Sequence, residues 1–340
     1  MAGRRDFLKG SASALLASTA AYAIVPQARA QAVTLKVKYD WLMSNGQVGD
    51  IVALRKGFFE EEGFKAEFVP GGPNSATVPP VTTGQALIGQ FSSTNQAMIA
   101  AASDIPVKVF AAGYRAAPFG YFSLPKAPVR KPEDLIGKRL GTQPTARFAT
   151  DALLKKYNID PSKLKIVNIG FDMAPLLSGD VDVVTGWVTN TKALSVLGPE
   201  RIDFLMRDAG ITNYGNAYFA SADSLAKQGE QIAKFLKAVS KGWEWSFKNR
   251  AQAVDIMCDA YPNLDRSIEQ QSVDTVMGLS FDKDTAVAGW GTFDPARVQT
   301  TLDLFASIDF FKDKKTPKLA DFVTTQILEA TKDSRAKLGG

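Results

Sequence analysis

The chain has 340 residues, with 40 Lys and Arg against 35 Asp and Glu, a single cysteine (Cys258) and no histidine. Without imidazole it can build no Ser-His-Asp triad, Cys-His pair or histidine metal site, and one thiol excludes thiolate zinc, iron–sulfur clusters and an internal disulfide. Carboxylate or lysine chemistry remains, but no spacing of acids or lysines marks such a centre, and Glu60, Glu61 and Glu62 read as a solvated helix end.

The first thirty residues read as an export signal. Gly3-Arg4-Arg5-Asp6-Phe7-Leu8-Lys9 precedes a weakly apolar run over 11–25, then Pro26 and Ala28-Arg29-Ala30. A basic start, a short apolar run and a small-x-small end make a secretory signal. The paired arginines resemble the twin-arginine consensus, with Gly3 where Ser or Thr is more usual. The run is too short for a membrane span, which needs about 20 apolar residues. Cleavage near Ala30 is expected to leave a mature chain in the periplasm, with the twin-arginine translocase as its export partner. Loss of Arg4, Arg5, Lys9, Arg29 and Asp6 brings the net charge to about +2, so the basic balance makes no case for nucleic acid. About 310 mature residues exceed the ~100–200 of one domain, and two lobes are expected.

Strand and helix signals then alternate. Val33, Leu35, Val37 and Tyr39 alternate with Thr34, Lys36 and Lys38, a period-2 strand. Ile51, Val52, Leu54 and Phe58 follow a helical spacing that breaks around Gly57; a strand over 66–69 and a turn over 71–74 follow. Segments 87–91, 107–111 and 120–124 read as short buried strands, with a helix over 94–102. Residues 139–141 lead into a helix over 146–157. Strands over 165–169 and 181–186 flank a short helix at 174–177, and one more strand covers 214–221. The remainder is mostly helical: Ile232, Phe235, Leu236, Val239 and Trp243 form one apolar face. Cys258 reads as a core thiol, Trp243 and Trp245 as core, and Trp290 as a loop anchor. Alternating strands and helices imply parallel sheets covered on both faces.

Five segments, in order, carry a family resemblance. Lys56-Gly57-Phe58-Phe59-Glu60-Glu61-Glu62-Gly63-Phe64 is followed by Thr83-Gly84-Gln85-Ala86 and by Asp104-Ile105-Pro106-Val107. Lys131-Pro132-Glu133-Asp134-Leu135-Ile136-Gly137-Lys138 and Ser178-Gly179-Asp180-Val181-Asp182 complete the series. Together they resemble the solute-binding proteins of ABC importers, in the branch that holds sulfonate, taurine, nitrate and thiamine-pyrimidine binders. The resemblance implies a two-lobed periplasmic-binding-protein type II fold. Each lobe would be a mostly parallel sheet with flanking helices, and two crossover strands would join them. Residues 31–116 with 215–340 would form one lobe and 117–214 the other, with a ligand in the cleft and permease subunits as partners.

Open α/β sheets bind ligands beyond the carboxyl ends of their strands, where helix N-termini offer free N–H groups. Three such junctions carry hydroxyl or amide residues: 40–47 with Trp41, Ser44, Asn45 and Gln47; Ser92-Ser93-Thr94-Asn95; and Gly141-Thr142-Gln143-Pro144-Thr145, which opens the helix bearing Arg147. Each also reads as an ordinary helix cap. Trp187, after Gly186 at the end of an apolar strand, offers a flat face for a ring or a cation, or else packs in a lobe. The family pattern places Tyr214 and Asn216 beside the cleft, although Gly215 between them also reads as a turn. Arg115 and Arg147 could each neutralise an anion or serve a surface ion pair.

These residues point to capture of a small ligand, taken as a thiamine-pyrimidine-like heterocycle, with a sulfonate, taurine or nitrate as the alternative. No cofactor and no metal are expected. A synthase-like enzyme branch, which the resemblance associates with a histidine and pyridoxal phosphate, is disfavoured because this chain has no histidine. The export signal is testable directly. Replacing Arg4 and Arg5 together by Lys is expected to accumulate unprocessed precursor inside the cell, because the paired arginines are the receptor-read element. Normal mature protein in the periplasm after that change would mean a Sec-type signal.

Overall fold

The computed structural model describes residues 34–72 and 75–339. The export signal, its expected cleavage near Ala30 and part of the 71–74 turn lie outside the described residues. Among the described residues ten strands are formed: β1 (Thr34–Tyr39), β2 (Lys65–Val69), β3 (Ile88–Ser93), β4 (Val107–Tyr114), β5 (Phe119–Ser123), β6 (Arg139–Thr142), β7 (Lys165–Asn168), β8 (Val183–Trp187), β9 (Ile202–Leu205) and β10 (Gly215–Ser221). They make two five-stranded sheets, ordered β2-β1-β3-β10-β4 and β7-β6-β8-β5-β9.

The two sheets are built alike. In each, four strands run one way and a single inserted strand, β10 or β5, runs against both neighbours. That reversed strand is in each case the first one formed after the chain crosses from the other sheet. Both inserted strands are buried along their whole length, as mid-sheet strands must be. The mostly parallel sheets expected from the sequence are therefore present. The crossings, residues 115–118 and 206–214, lie side by side: the Ala117 N–H donates to the Asn213 carbonyl and the Thr94 N–H to the Tyr214 carbonyl at 3.0 Å.

Local sequence explains most elements. In β1, Leu35, Val37 and Tyr39 are buried. Lys38, on the opposite face, is covered too, and its Nζ donates to the Pro70 carbonyl at 2.8 Å. Gly57, at φ 76°, ends the helix Val48–Arg55 before the short turn Phe58–Glu61. Glu61 and Glu62 there pair with Lys241 and Lys237 of the long helix Gly229–Lys248. Cys258 is buried, and burial raises its thiol pKa, which makes it inert. Trp243 and Trp290 are fully buried and stacked, ring centroids 5.5 Å apart. One strand was not expected: β9 is a four-residue edge strand with Asp203 in its middle, too short and too polar to show an alternation. β4 runs three residues past its expected end, to Tyr114, because β10 pairs with it to that point.

The first lobe is tied by one buried carboxylate. Asp50, fully buried, accepts hydrogen bonds from the Tyr39 hydroxyl at 2.8 Å, the Tyr218 hydroxyl at 2.8 Å and Trp243 Nε1 at 2.9 Å. Two glycines let the helices that carry Asp50 and Trp243 meet. A Cβ on Gly49 would stand 2.2 Å from the Trp243 ring, and one on Gly242 2.2 Å from the Gly49 carbonyl.

Burial pushes the Asp50 pKa up to about 6, against the opposing pull of its three donors. An acid with a folded pKa above its unfolded value of about 4 holds more protons folded than unfolded. Its contribution to stability is therefore greatest below pH 4, falls between about pH 4 and 6, and stays low above. Urea unfolding of wild type and Asp50→Asn at pH 4 and pH 7 is expected to show the wild type losing about 2 kcal/mol relative to the variant over that interval. A difference independent of pH would refute the raised pKa.

Candidate functional site

The loop after β1 in one sheet meets the carboxyl ends of β7 and β8 in the other along a seam. Three aromatic rings lie along it. Trp41, after β1, has its ring centroid 6.3 Å from Phe171, which follows β7; Phe171 is 6.5 Å from Trp187, the last residue of β8. Trp41 and Phe171 are 41% and 50% exposed, so two large apolar rings face solvent across a lobe boundary where burial would be expected. Trp187 is half-buried and stands edge-on to Phe119 at 5.2 Å.

The remaining candidate residues serve the junctions that carry these rings. Asp40 joins two of them: its carboxylate accepts from the Ser92 hydroxyl at 2.6 Å, from Gln96 Nε2 at 3.1 Å and from the Thr77 hydroxyl at 3.2 Å. Gln47 is buried, with Nε2 donating to Gln90 Oε1 at 2.9 Å and Oε1 accepting from the Ser44 N–H at 3.2 Å. Ser93 bonds Asn95, and both Thr94 and Asn95 bond the Asn213 side chain of the return crossing. In the other lobe, Thr142 and Gln143 are buried and accept from the Thr185 hydroxyl at 2.8 and 3.1 Å. Gln143 Nε2 donates to the Gly170 carbonyl at 2.8 Å, which sets the loop that presents Phe171.

Near the crossings, Tyr214 is buried with its ring between Arg115 and Arg297, and its hydroxyl accepts the Asp294 N–H at 2.9 Å. Asn216 adopts φ 45° and donates to the Gly46 carbonyl. Arg115 is buried and paired with Asp282 and Asp284 at 3.1 Å each. Arg147 is half-exposed and pairs with Asp151 one turn along at 2.8 Å.

A polar bridge crosses the seam beside the rings. Asn45 Nδ2 donates to the Thr189 carbonyl at 3.2 Å, just past β8, and to Glu269 Oε2 at 2.9 Å; the Thr191 hydroxyl donates to Glu269 Oε1 at 3.2 Å. Glu269, on the helix Arg266–Ser280, thus accepts from residues that follow β1 and β8; its pKa is raised because burial outweighs the pull of its donors. Sequence reasoning missed Phe171 and Glu269. Phe171 had a signal, an aromatic just beyond a strand's carboxyl end. Glu269 had none, since it comes from 224 residues away.

Two cavities open elsewhere, one of about 290 Å³ beside Asp40, Thr77 and Ile99 and one of about 280 Å³ between Lys156, Thr212 and Arg297. Among the described residues no group of three or more Cys, Asp or Glu side chains could hold a metal, and no helix is long and apolar enough to cross a membrane.

Residues 45–253 match the profile of the family described as NMT1/THI5 like. The formylaminopyrimidine-binding protein of Halalkalibacterium halodurans is 25% identical over 255 residues, 72% of this chain and 77% of that one. The 4-amino-5-hydroxymethyl-2-methylpyrimidine phosphate synthase of Legionella pneumophila is 24% identical over 68% of this chain and 75% of its own. Among solved structures, the periplasmic aliphatic sulphonate binding protein SsuA of Escherichia coli superposes with a TM-score of 0.65 at 15% identity, covering 88% of this chain and all of that one. This last likeness establishes the periplasmic-binding-protein fold.

Glu269→Ala removes the acceptor that Asn45 and Thr191 share. Backbone amides over 189–195 are expected to exchange about tenfold faster, the worth of one net hydrogen bond at about 1.4 kcal/mol, with the global melt little changed. Unaltered exchange there would mean that the carboxylate does not hold the seam.

Proposed function

The chain belongs to the NMT1/THI5-like family, and from that premise we propose that it is an exported solute-binding protein. It captures one small ligand between two lobes, in the periplasm, and delivers it to the permease of an ABC importer. The observation that carries this reading is the set of three aromatic rings, Trp41, Phe171 and Trp187, drawn from both lobes to one seam and still partly open to solvent.

Residues 31–116 with 215–340 form one body and 117–214 the other, hinged where the crossings run together, near 114–119 and 211–214. A ligand that touches both bodies binds the closed arrangement better than the open one and shifts the population towards it. The closed form is what a permease would recognise. Export by the twin-arginine route supplies the compartment.

The ligand is a small aromatic heterocycle of the thiamine-pyrimidine type. Flat rings at the seam suit stacking, and the similarity to the formylaminopyrimidine-binding protein supports that ligand class. A small anion such as sulfonate, taurine or nitrate is the second reading. It would draw on the half-exposed Arg147 guanidinium beside the junction after β6, which pairs with one carboxylate, Asp151, whereas Arg115 is spent on two. The side-chain inventory supports binding over imidazole or thiolate catalysis: there is no histidine, and burial raises the pKa of the one thiol.

Trp187 decides between site and core. With a 4-amino-2,5-dimethylpyrimidine probe, indole fluorescence is expected to respond on titration. Trp187→Ala is then expected to weaken binding by about 1–3 kcal/mol, the range for stacking on an aromatic side chain, with little change in melting. A core tryptophan behaves oppositely, losing about 3–5 kcal/mol of stability on truncation. A sharply lowered melt with unchanged affinity would place Trp187 outside the site.

A further inference from the structure

Asn45 bridges the seam through Nδ2 alone, which leaves the other half of its carboxamide unpaired. The residue is 3% exposed, and its Nδ2 faces the Thr189 carbonyl, Glu269 Oε2 and, at 3.5 Å, the Ser272 hydroxyl. A carbonyl and a carboxylate only accept, so turning the amide over would set three acceptor oxygens against one another. Its orientation is therefore determined. Oδ1 then lies on the other side of the carboxamide, buried and without any hydrogen-bond partner. An unpaired buried acceptor is costly, and native proteins satisfy such atoms with protein, water or ligand.

Its position says which. Asn45 lies in the junction after β1, four residues beyond Trp41, and it bonds the other lobe two residues beyond Trp187. We infer that Asn45 Oδ1 accepts a hydrogen bond from an N–H or O–H donor on the captured solute, so that one carboxamide both reads the ligand and holds the lobes together. This rests on the solute-capture reading above and adds a contact and a selection rule to it. A solute with a donor at that edge completes the carboxamide and is bound by the same residue that bridges to Thr189. A solute offering only acceptors leaves Oδ1 unpaired and adds its oxygens to those of Asn45 and Glu269. Ligand occupancy and lobe closure are thereby coupled through one side chain.

Two probes that differ only at the donor test this: 4-amino-2,5-dimethylpyrimidine and 2,4,5-trimethylpyrimidine, with ethanesulfonate as an acceptor-only probe. Calorimetric titration of the mature wild-type protein is expected to favour the amino compound by about tenfold or more. Asn45→Ala is expected to bring the two pyrimidines within about twofold of each other. Thr191→Val, which breaks the bridge without touching Oδ1, is expected to weaken both equally and keep the preference; comparing ratios in this way separates the ligand contact from the bridge. A preference that survives in Asn45→Ala, or is missing in wild type, overturns the inference and leaves Oδ1 to water. Binding of ethanesulfonate alone also overturns it while leaving solute capture in place. Failure of all three probes with wild type strikes the capture reading, and this inference falls with it.

Discussion

A carboxylate buried without a cation is the constraint around which the first lobe is organised. Asp50 gathers Tyr39 from β1, Tyr218 from β10 and Trp243 from the Gly229–Lys248 helix onto two oxygens. Taking a carboxyl group out of water is unfavourable unless donors replace the water, so these three side chains are confined to one geometry. Trp290 stacks on Trp243, which extends the ordering to a distant loop. The Asp50 helix begins directly after the 45–47 turn. The position of Asn45 at the seam is therefore inherited from a charge lying deeper in the lobe.

The glycine pair Gly49 and Gly242 is the steric counterpart of that charge. Without it the two helices would stand too far apart for Trp243 Nε1 to reach Asp50. Packing and hydrogen bonding are thus not separable here. A substitution at either glycine acts on the polar centre as much as on the helix contact.

Repetition of one sheet plan explains why the seam exists. Inserting a single reversed strand in each sheet, immediately after a crossing, leaves the other four strands pointing the same way, and the loop after β1 meets those after β7 and β8. The crossings come together as neighbours, and Arg115, Tyr214 and Arg297 are packed against them. Thr94, Asn95 and Asn213 tie the junction after β3 to the return crossing by direct hydrogen bonds.

The alternation of Leu35, Val37 and Tyr39, the apolar face of the long helix and the order of five short segments established the fold class and the strand-end junctions from sequence alone. The alternation and the apolar face could do so because period is a local property of the chain, and the five segments through the family resemblance they carry. Trp41 and Trp187 were legible for the same reason, as large rings at strand ends. What tertiary structure alone decided is which polar residues serve the junctions and which serve the seam. Gln47, Thr142 and Gln143 have the composition of ligand contacts yet spend their hydrogen bonds within their own lobes. Asn45, of the same chemistry, is turned across the seam by Glu269. Hydrogen bonds between residues some 140 to 220 positions apart leave no periodicity in the sequence, so only the folded chain shows where an amide's second oxygen is left free.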